Sequence, residues 1–288
     1  MAKHVFLKQY TRTLIFTVLA LIAFAANSVL CRLALSKKAI DPASFTGIRL
    51  MSGALVLMLL VFMFNRKKSS EAKGSWWSGA ILFMYAVTFS FAYISLDAGT
   101  GALILFAAVQ ITMITYALLS GKKMSTLEWM GVLLAFMGFV YLVLPGVTAP
   151  SLSGFLLMTL SGVGWGSYTI RGKGSVNPLK ATAYNFMRTL PMVAILMLFS
   201  LKNIQASHEG IGLAILSGAI TSGIGYTIWY LALRGLNAIQ ASVVQLLVPV
   251  IAALGGVIFL AEMIHLRLVI SALLILGGIG LVILVKKR

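Results

Sequence analysis

What most constrains this chain is the length of its uncharged apolar runs. Residues 13–31, 74–96, 98–121, 210–233, 235–261 and 268–285 carry no Asp, Glu, Lys or Arg. The uncharged stretch 129–170 is long enough for two membrane spans, divided by Pro145 and Pro150. Runs 42–65 and 181–201 each contain one arginine, Arg49 and Arg188. A span needs about 20 mostly apolar residues, so the pattern predicts ten. A soluble core cannot hide that much apolar surface: the chain is 60% hydrophobic and only 10% charged, against about 25% charged in soluble domains. In lipid the backbone must satisfy its own polar groups, which leaves helices or closed barrels. Barrel strands alternate polar and apolar residues over about ten positions, and these runs do not alternate. The expected fold is therefore an all-α integral membrane protein of ten transmembrane helices.

The net charge is +17. With a cytoplasmic N-terminus, the inner segments would hold 16 Lys and Arg and the outer segments 5. Basic residues stay in cytoplasmic loops, so both termini are expected inside a bacterial inner membrane. The charge therefore needs no nucleic-acid partner, and no soluble basic domain is visible to bind one. Lys3, Lys8 and Arg12 ahead of an apolar run, with "AFAA" at 23–26, resemble a signal peptide. The run continues to Cys31, however, and the repeat described next uses it, so the segment is read as the first span. A single cysteine leaves no internal disulfide and no metal-site spacing.

The chain repeats itself. "ANSVLCR" at 26–32 aligns with "WGSYTIR" at 165–171, placing Ser28 on Ser167 and Arg32 on Arg171. "FTGIR" at 45–49 aligns with "YNFMR" at 184–188, and "GVLLAFMGFVYLVL" at 131–144 with "SALLILGGIGLVIL" at 271–284. The offset stays near 139 or 140. The expected domains are thus two five-helix repeats, 1–145 and 150–288, forming one transport unit. Because five is odd, the second repeat is inverted in the membrane. Inverted repeats build secondary transporters, with the substrate near the midplane between halves, although some channels share the arrangement.

"GYTIWYLALRGLNAIQASVVQLLVPVIAALGGVIFLAEMIHLRLVISALLILGGIGLVIL" at 225–284 resembles the second repeat of the EamA family in the drug/metabolite transporter superfamily. The match rests on Ala-Leu before a short loop, Pro249, Glu262 and the Gly277–Gly278 pair. The first half departs from that pattern, with Val109 in place of the proline and Lys122 in place of the acid. The resemblance implies an exporter of amino acids or other small metabolites, with aromatic amino acids as the nearest guess.

Several residues sit where a pathway would run. Pro249 removes a helix bond from the carbonyl of Gln245, and in a span that carbonyl needs another partner. This predicts a kinked helix lining the pathway, or a packing kink. Arg49 and Arg188 occupy equivalent mid-span places; each either faces an interior cavity or snorkels to the interface. Arg188 is the expected carboxylate ligand, by a bidentate pair. Arg49, Pro249 and Glu262 are expected to be structural or gating. Asn27, Tyr85, Tyr93, Gln110, Trp165, Tyr168, Tyr226 and Gln245, with Gln240, are mid-span polar or aromatic groups. Together they suit an apolar or aromatic molecule with a polar head, and each is also an ordinary packing residue. Helices 1, 3, 4, 6, 8 and 9 are expected to line the cavity, and helices 2 and 7 to gate it. Small-residue spacing at Gly162 and Gly166, and at Gly131, Gly138, Ser271 and Gly278, predicts close helix packing.

The chain lacks a phosphate-binding loop, an HExxH motif, a His/Cys cluster and paired carboxylates. Neither an enzyme nor a cofactor is therefore expected. All six acids fall in loops or at span ends, whereas proton-coupled carriers commonly bury one in the bundle. This favours a uniporter or exchanger working by alternating access. A passive channel and a multidrug or quaternary-cation exporter are the alternatives. The expected partners are a small-molecule substrate and the bilayer; oligomeric state is left open, with a monomer compatible.

Overall fold

A computed structural model describes residues 2–64, 74–121, 124–146, 148–172, 175, 177–236, 241 and 244–285, with side chains from 11 to 282. Gln240, Lys67, Lys122 and Lys173 lie outside the described residues. The chain is all-helical. In order the helices are α1 (Ala2–Ser36), α2 (Pro42–Phe64), α3 (Trp76–Ala92), α4 (Ala98–Leu119), α5 (Thr126–Val143), α6 (Leu152–Gly172) and α7 (Pro178–Ser200). They continue with α8 (His208–Leu233), α9 (Val248–Leu260) and α10 (Leu266–Val285). Six of the described helices are long and apolar enough to cross a membrane, and three shorter ones are apolar.

Polar residues in the loops start the helices. Ser75, Ser125, Asn177 and Ser207 each accept a backbone N–H from the first turn of α3, α5, α7 and α8. Glu128 closes a capping box by accepting from the Ser125 N–H. Asp41 accepts from Ala43 and Ser44 at the head of α2. These caps satisfy donors that a helix leaves orphaned at its end.

The helices pack with the symmetry of the repeat. α3 lies on α6 as α8 lies on α1; α4 lies on α6 as α9 lies on α1; α2 meets α8 as α7 meets α3. The equivalent pairs α2–α7, α4–α9 and α5–α10 join across the axis. The fold is thus two inverted five-helix repeats. Small residues make the close contacts. A side chain at Gly131 would meet the Gly278 carbonyl, and one at Gly278 the Gly131 carbonyl. Gly162 and Gly166 lie against Leu105, Ala108 and Thr112 of α4. The apolar surface left over faces outward, as at Leu55, Phe62, Phe136, Phe199 and Ile258, where lipid is the natural partner.

One local feature differs from the sequence expectation, and two more were not anticipated by it. Pro249 does not kink a continuous helix. Turns at Leu246 and Leu247 break it, and Pro249 sits in the first turn of α9, where its missing N–H costs little. Pro191, by contrast, lies inside an unbroken α7. The middle of α8, Leu216–Ile224, is a π-helix, a geometry that gathers at functional sites.

The loops at the far end of α1 form what we term the distal face. Ile40 and Ala206 form an isolated bridge, and Asp41 accepts from the Gln205 N–H. Ser95 meets Ser151 at 2.7 Å, and Arg267 donates to the Leu144 carbonyl.

Candidate functional site

An aromatic cluster fills the middle of the bundle. Trp165 on α6 is its hub, with ring centroids 4.7 Å from Tyr226, 5.1 Å from Tyr85, 5.7 Å from Tyr168 and 6.2 Å from Phe24. Phe24 also meets Phe106 and Trp229, and Phe186 meets Tyr226. All these rings are buried, and they come from α1, α3, α4, α6, α7 and α8. Offset and edge-on pairs at these distances are favourable beyond the area they bury.

Beside the cluster lies a charge. Arg49 on α2 is 1% exposed. Its Nε donates to Ser222 Oγ at 3.2 Å, and one Nη donates to Tyr85 Oη at 3.0 Å. Its guanidinium also stands 4.8 Å over the Phe89 ring and 5.3 Å from the Tyr85 ring, within cation–π range. The other Nη has no hydrogen-bond partner. Tyr226 Oη stands beside Tyr85 and Ser222 yet reaches neither in bonding geometry. Nearby, Asn27 Oδ1 accepts from Ser217 Oγ at 2.6 Å and from Thr221 Oγ1 at 3.2 Å. Ser217 and Thr221 thus meet α1, and Ser222 meets α2, all from the π-segment of α8.

The two arginines therefore part company. Arg49 does not snorkel; it reaches the centre, so α2 contributes to the interior as well as to the α2–α7 contact. Arg188, its repeat equivalent, is half-buried, donates to the Tyr184 carbonyl of its own helix and lies over Trp76 and Tyr184. The structure does not bring Arg188 to the aromatic cluster. Tyr168 accepts from Asn185 Nδ2, which ties the cluster to α7. Gln110 and Gln245 are buried, on α4 and just before α9. Tyr93 packs edge-on against Phe89 and donates to the Ala98 carbonyl at 3.3 Å, near the distal end.

Glu262 binds the two halves together. One carboxylate oxygen accepts from Arg32 Nε at 3.0 Å, and the other accepts from the Ala98 N–H at 2.9 Å, capping α4 from the opposite repeat. Arg32 also pairs with Asp97 at 3.2 Å and donates to the carbonyls of Tyr93 and Ile94. Ala261, left-handed at φ 53°, ends α9 and precedes the acid. Burial pushes the Glu262 carboxyl above the ordinary carboxylate range; the Ala98 N–H and Arg32 oppose this, and Asp97 adds to it. A polar cavity of about 180 Å³ adjoins this network, lined by Ser95, Asp97, Thr100, Ser151 and His265. It is a surface feature of the distal face and does not reach the aromatic centre.

Sequence reasoning did not pick out Phe24, Trp229, Ser217, Thr221, Ser222, Asn185 or the bracing role of Arg32. The one signal Ser217, Thr221 and Ser222 carried was polarity inside an uncharged run. Among the described residues no group of three or more His, Cys, Asp or Glu is placed to hold a metal.

The sequence profile of the EamA-like transporter family matches residues 11–144 and again 152–284. The uncharacterized protein PA1977 of Pseudomonas aeruginosa is 50% identical over 272 residues, covering 94% of each chain. The uncharacterized transporter YoaV of Bacillus subtilis is 25% identical over 256 residues, covering 83% of this chain and 86% of its own. An uncharacterized transporter of Archaeoglobus fulgidus is 27% identical over 209 residues, covering 71% and 74%. A solved crystal structure of a protein superposes with a TM-score of 0.66 at 18% identity, covering 95% of this chain and 97% of the other, which shows a common fold.

Proposed function

Since this chain belongs to the EamA-like transporter family, a family of multi-pass membrane transporters and not of enzymes, we propose that it exports amino acids, aromatic or hydrophobic ones preferred, or similar small metabolites. It works by alternating access, as a uniporter or exchanger, in a bacterial inner membrane with both termini cytoplasmic. The observation that carries this is the position of the aromatic cluster. Phe24, Tyr85, Trp165 and Tyr226 come from both repeats and meet where the repeats meet. A substrate held there can be released to either face by rocking one repeat against the other. Rings provide the apolar walls; Asn27, Tyr168, Gln110 and Gln245 provide polar contacts that fix orientation. Among the described residues the acids lie at helix ends and loops, which favours a carrier driven by the substrate gradient.

Reconstitution with labelled amino acids, sugars and cationic drugs tests this. Efflux of phenylalanine or tryptophan is expected, with no accumulation driven by a proton gradient. Movement of inorganic ions alone, or of cationic drugs alone, would refute it. Trp165→Ala and Gln245→Ala are expected to lower efflux at least about tenfold at unchanged membrane abundance, since each loses a contact with the moving molecule. Wild-type flux in both variants would remove them from the site.

A further inference from the structure

We infer that Arg49 is an anion site: with Tyr226 it receives the carboxylate of an organic acid whose apolar body lies among the aromatic rings. This rests on the transport reading and narrows it to substrates that carry a carboxylate, zwitterionic or plain. The guanidinium is 1% exposed and one of its terminal nitrogens has no hydrogen-bond partner. No carboxylate faces it among the described residues: Asp41, Asp97, Glu128, Glu209 and Glu262 are engaged at helix caps and in distal contacts. A buried charge without a counter-charge is costly, and one removed from its partner typically loses several kcal/mol. The two bonds it makes, to Ser222 and Tyr85, are to neutral oxygens.

The second donor is Tyr226. Its hydroxyl is buried, stands beside Tyr85 and Ser222, the two groups the guanidinium bonds, and has no hydrogen bond. Two unused donors on neighbouring groups are the arrangement a carboxylate needs, because each of its oxygens accepts one. Trp165 stands 4.7 Å from the Tyr226 ring, so an aromatic body attached to that carboxylate would lie against Trp165. Arg49 need not give up its existing bonds to do this. A carboxylate held there neutralises the guanidinium. A tertiary or quaternary amine gains nothing there and would meet a like charge.

The test uses purified full-length protein and matched ligands: phenylacetate, phenylacetamide and phenethylamine, titrated by tryptophan fluorescence and by thermal shift. Wild type is expected to bind phenylacetate at least about tenfold more tightly than the amide, the size of one charge-assisted hydrogen bond, and phenethylamine least. Tyr226→Phe removes a hydroxyl that bonds to nothing here, so its Tm should stay level while the carboxylate preference falls several-fold. Arg49→Met should abolish the preference. If Arg49→Met does not fold, Tyr226→Phe decides alone. Equal binding of acid and amide by wild type, or an unchanged preference in Tyr226→Phe, would overturn the inference. Amino acid efflux with no carboxylate binding removes this site and leaves the transport reading standing; carboxylate binding without amino acid efflux does the reverse.

Discussion

Glu262 shows how much one side chain can hold. It caps α4, pairs with Arg32 and so links positions 230 residues apart in sequence. Its carboxyl titrates above the ordinary range because burial disfavours the charged form more than its partners favour it. A raised folded-state value means the packed state binds the proton more tightly than the unfolded chain does. The corresponding stability is fully present below the unfolded value of about 4.3 and is lost as pH rises through the folded value. Thermal unfolding in detergent should therefore show Tm falling as pH is raised above the range of a free carboxylate. Glu262→Gln, which keeps an acceptor but cannot ionise, should lose that slope; an identical slope in both proteins would assign it elsewhere. The apolar run and the acid that ends it were legible in the sequence. Arg32 as its partner was not, because nothing local relates two residues so far apart.

The π-segment of α8 is the element on which the centre depends. It brings Gly218 against the Arg49 carbonyl and the Ser52 side chain of α2, which sets how deep Arg49 can lie. The equivalent position in the first repeat, Gly79, lies against Arg188 of α7, so the same small-residue contact serves both halves. Gly218→Ala would push a methyl into the Arg49 carbonyl and is expected to cost about 1–3 kcal/mol by overpacking and to depress transport. Gly212→Ala, on the same helix with open space around it, should be neutral or stabilise by up to about 1 kcal/mol through helix propensity. Equal Tm changes in the two would dissolve the argument. Helix positions and the small-residue faces of α5, α6 and α10 could be read from residue spacing, because close packing leaves a repeating signature. The π-geometry could not: Leu216–Ile224 reads as an ordinary stretch of the same span, and nothing local marks the altered winding. For the same reason the sequence favoured Arg188 over Arg49 as the ligand, whereas it is Arg49 that has a Ser222 and a Tyr85 to meet.

At the scale of the whole molecule the repeat is symmetric in packing and unequal in its ties. Arg32 on the distal face meets two carboxylates, while Arg171, its repeat equivalent, donates to Ser78 Oγ at 3.2 Å. The inverted topology places Ser125 and Ser175 on one side of the bilayer and Ser151 and Gln205 on the other. Single cysteines there, in a Cys31→Ser background, should react with an impermeant maleimide from the cytoplasmic side for the first pair and from the opposite side for the second. A split within either pair would break the inverted arrangement. The repeat made this topology legible from sequence; the Arg32–Glu262 tie between the halves was not. The most direct test of a centre served alternately by both faces is counterflow. Proteoliposomes preloaded with unlabelled phenylalanine should take up external labelled phenylalanine to a transient excess over its equilibrium level, and Trp165→Ala should abolish the overshoot. A steady rise to equilibrium with no overshoot in the wild-type protein would mean an open passage and contradict alternating access.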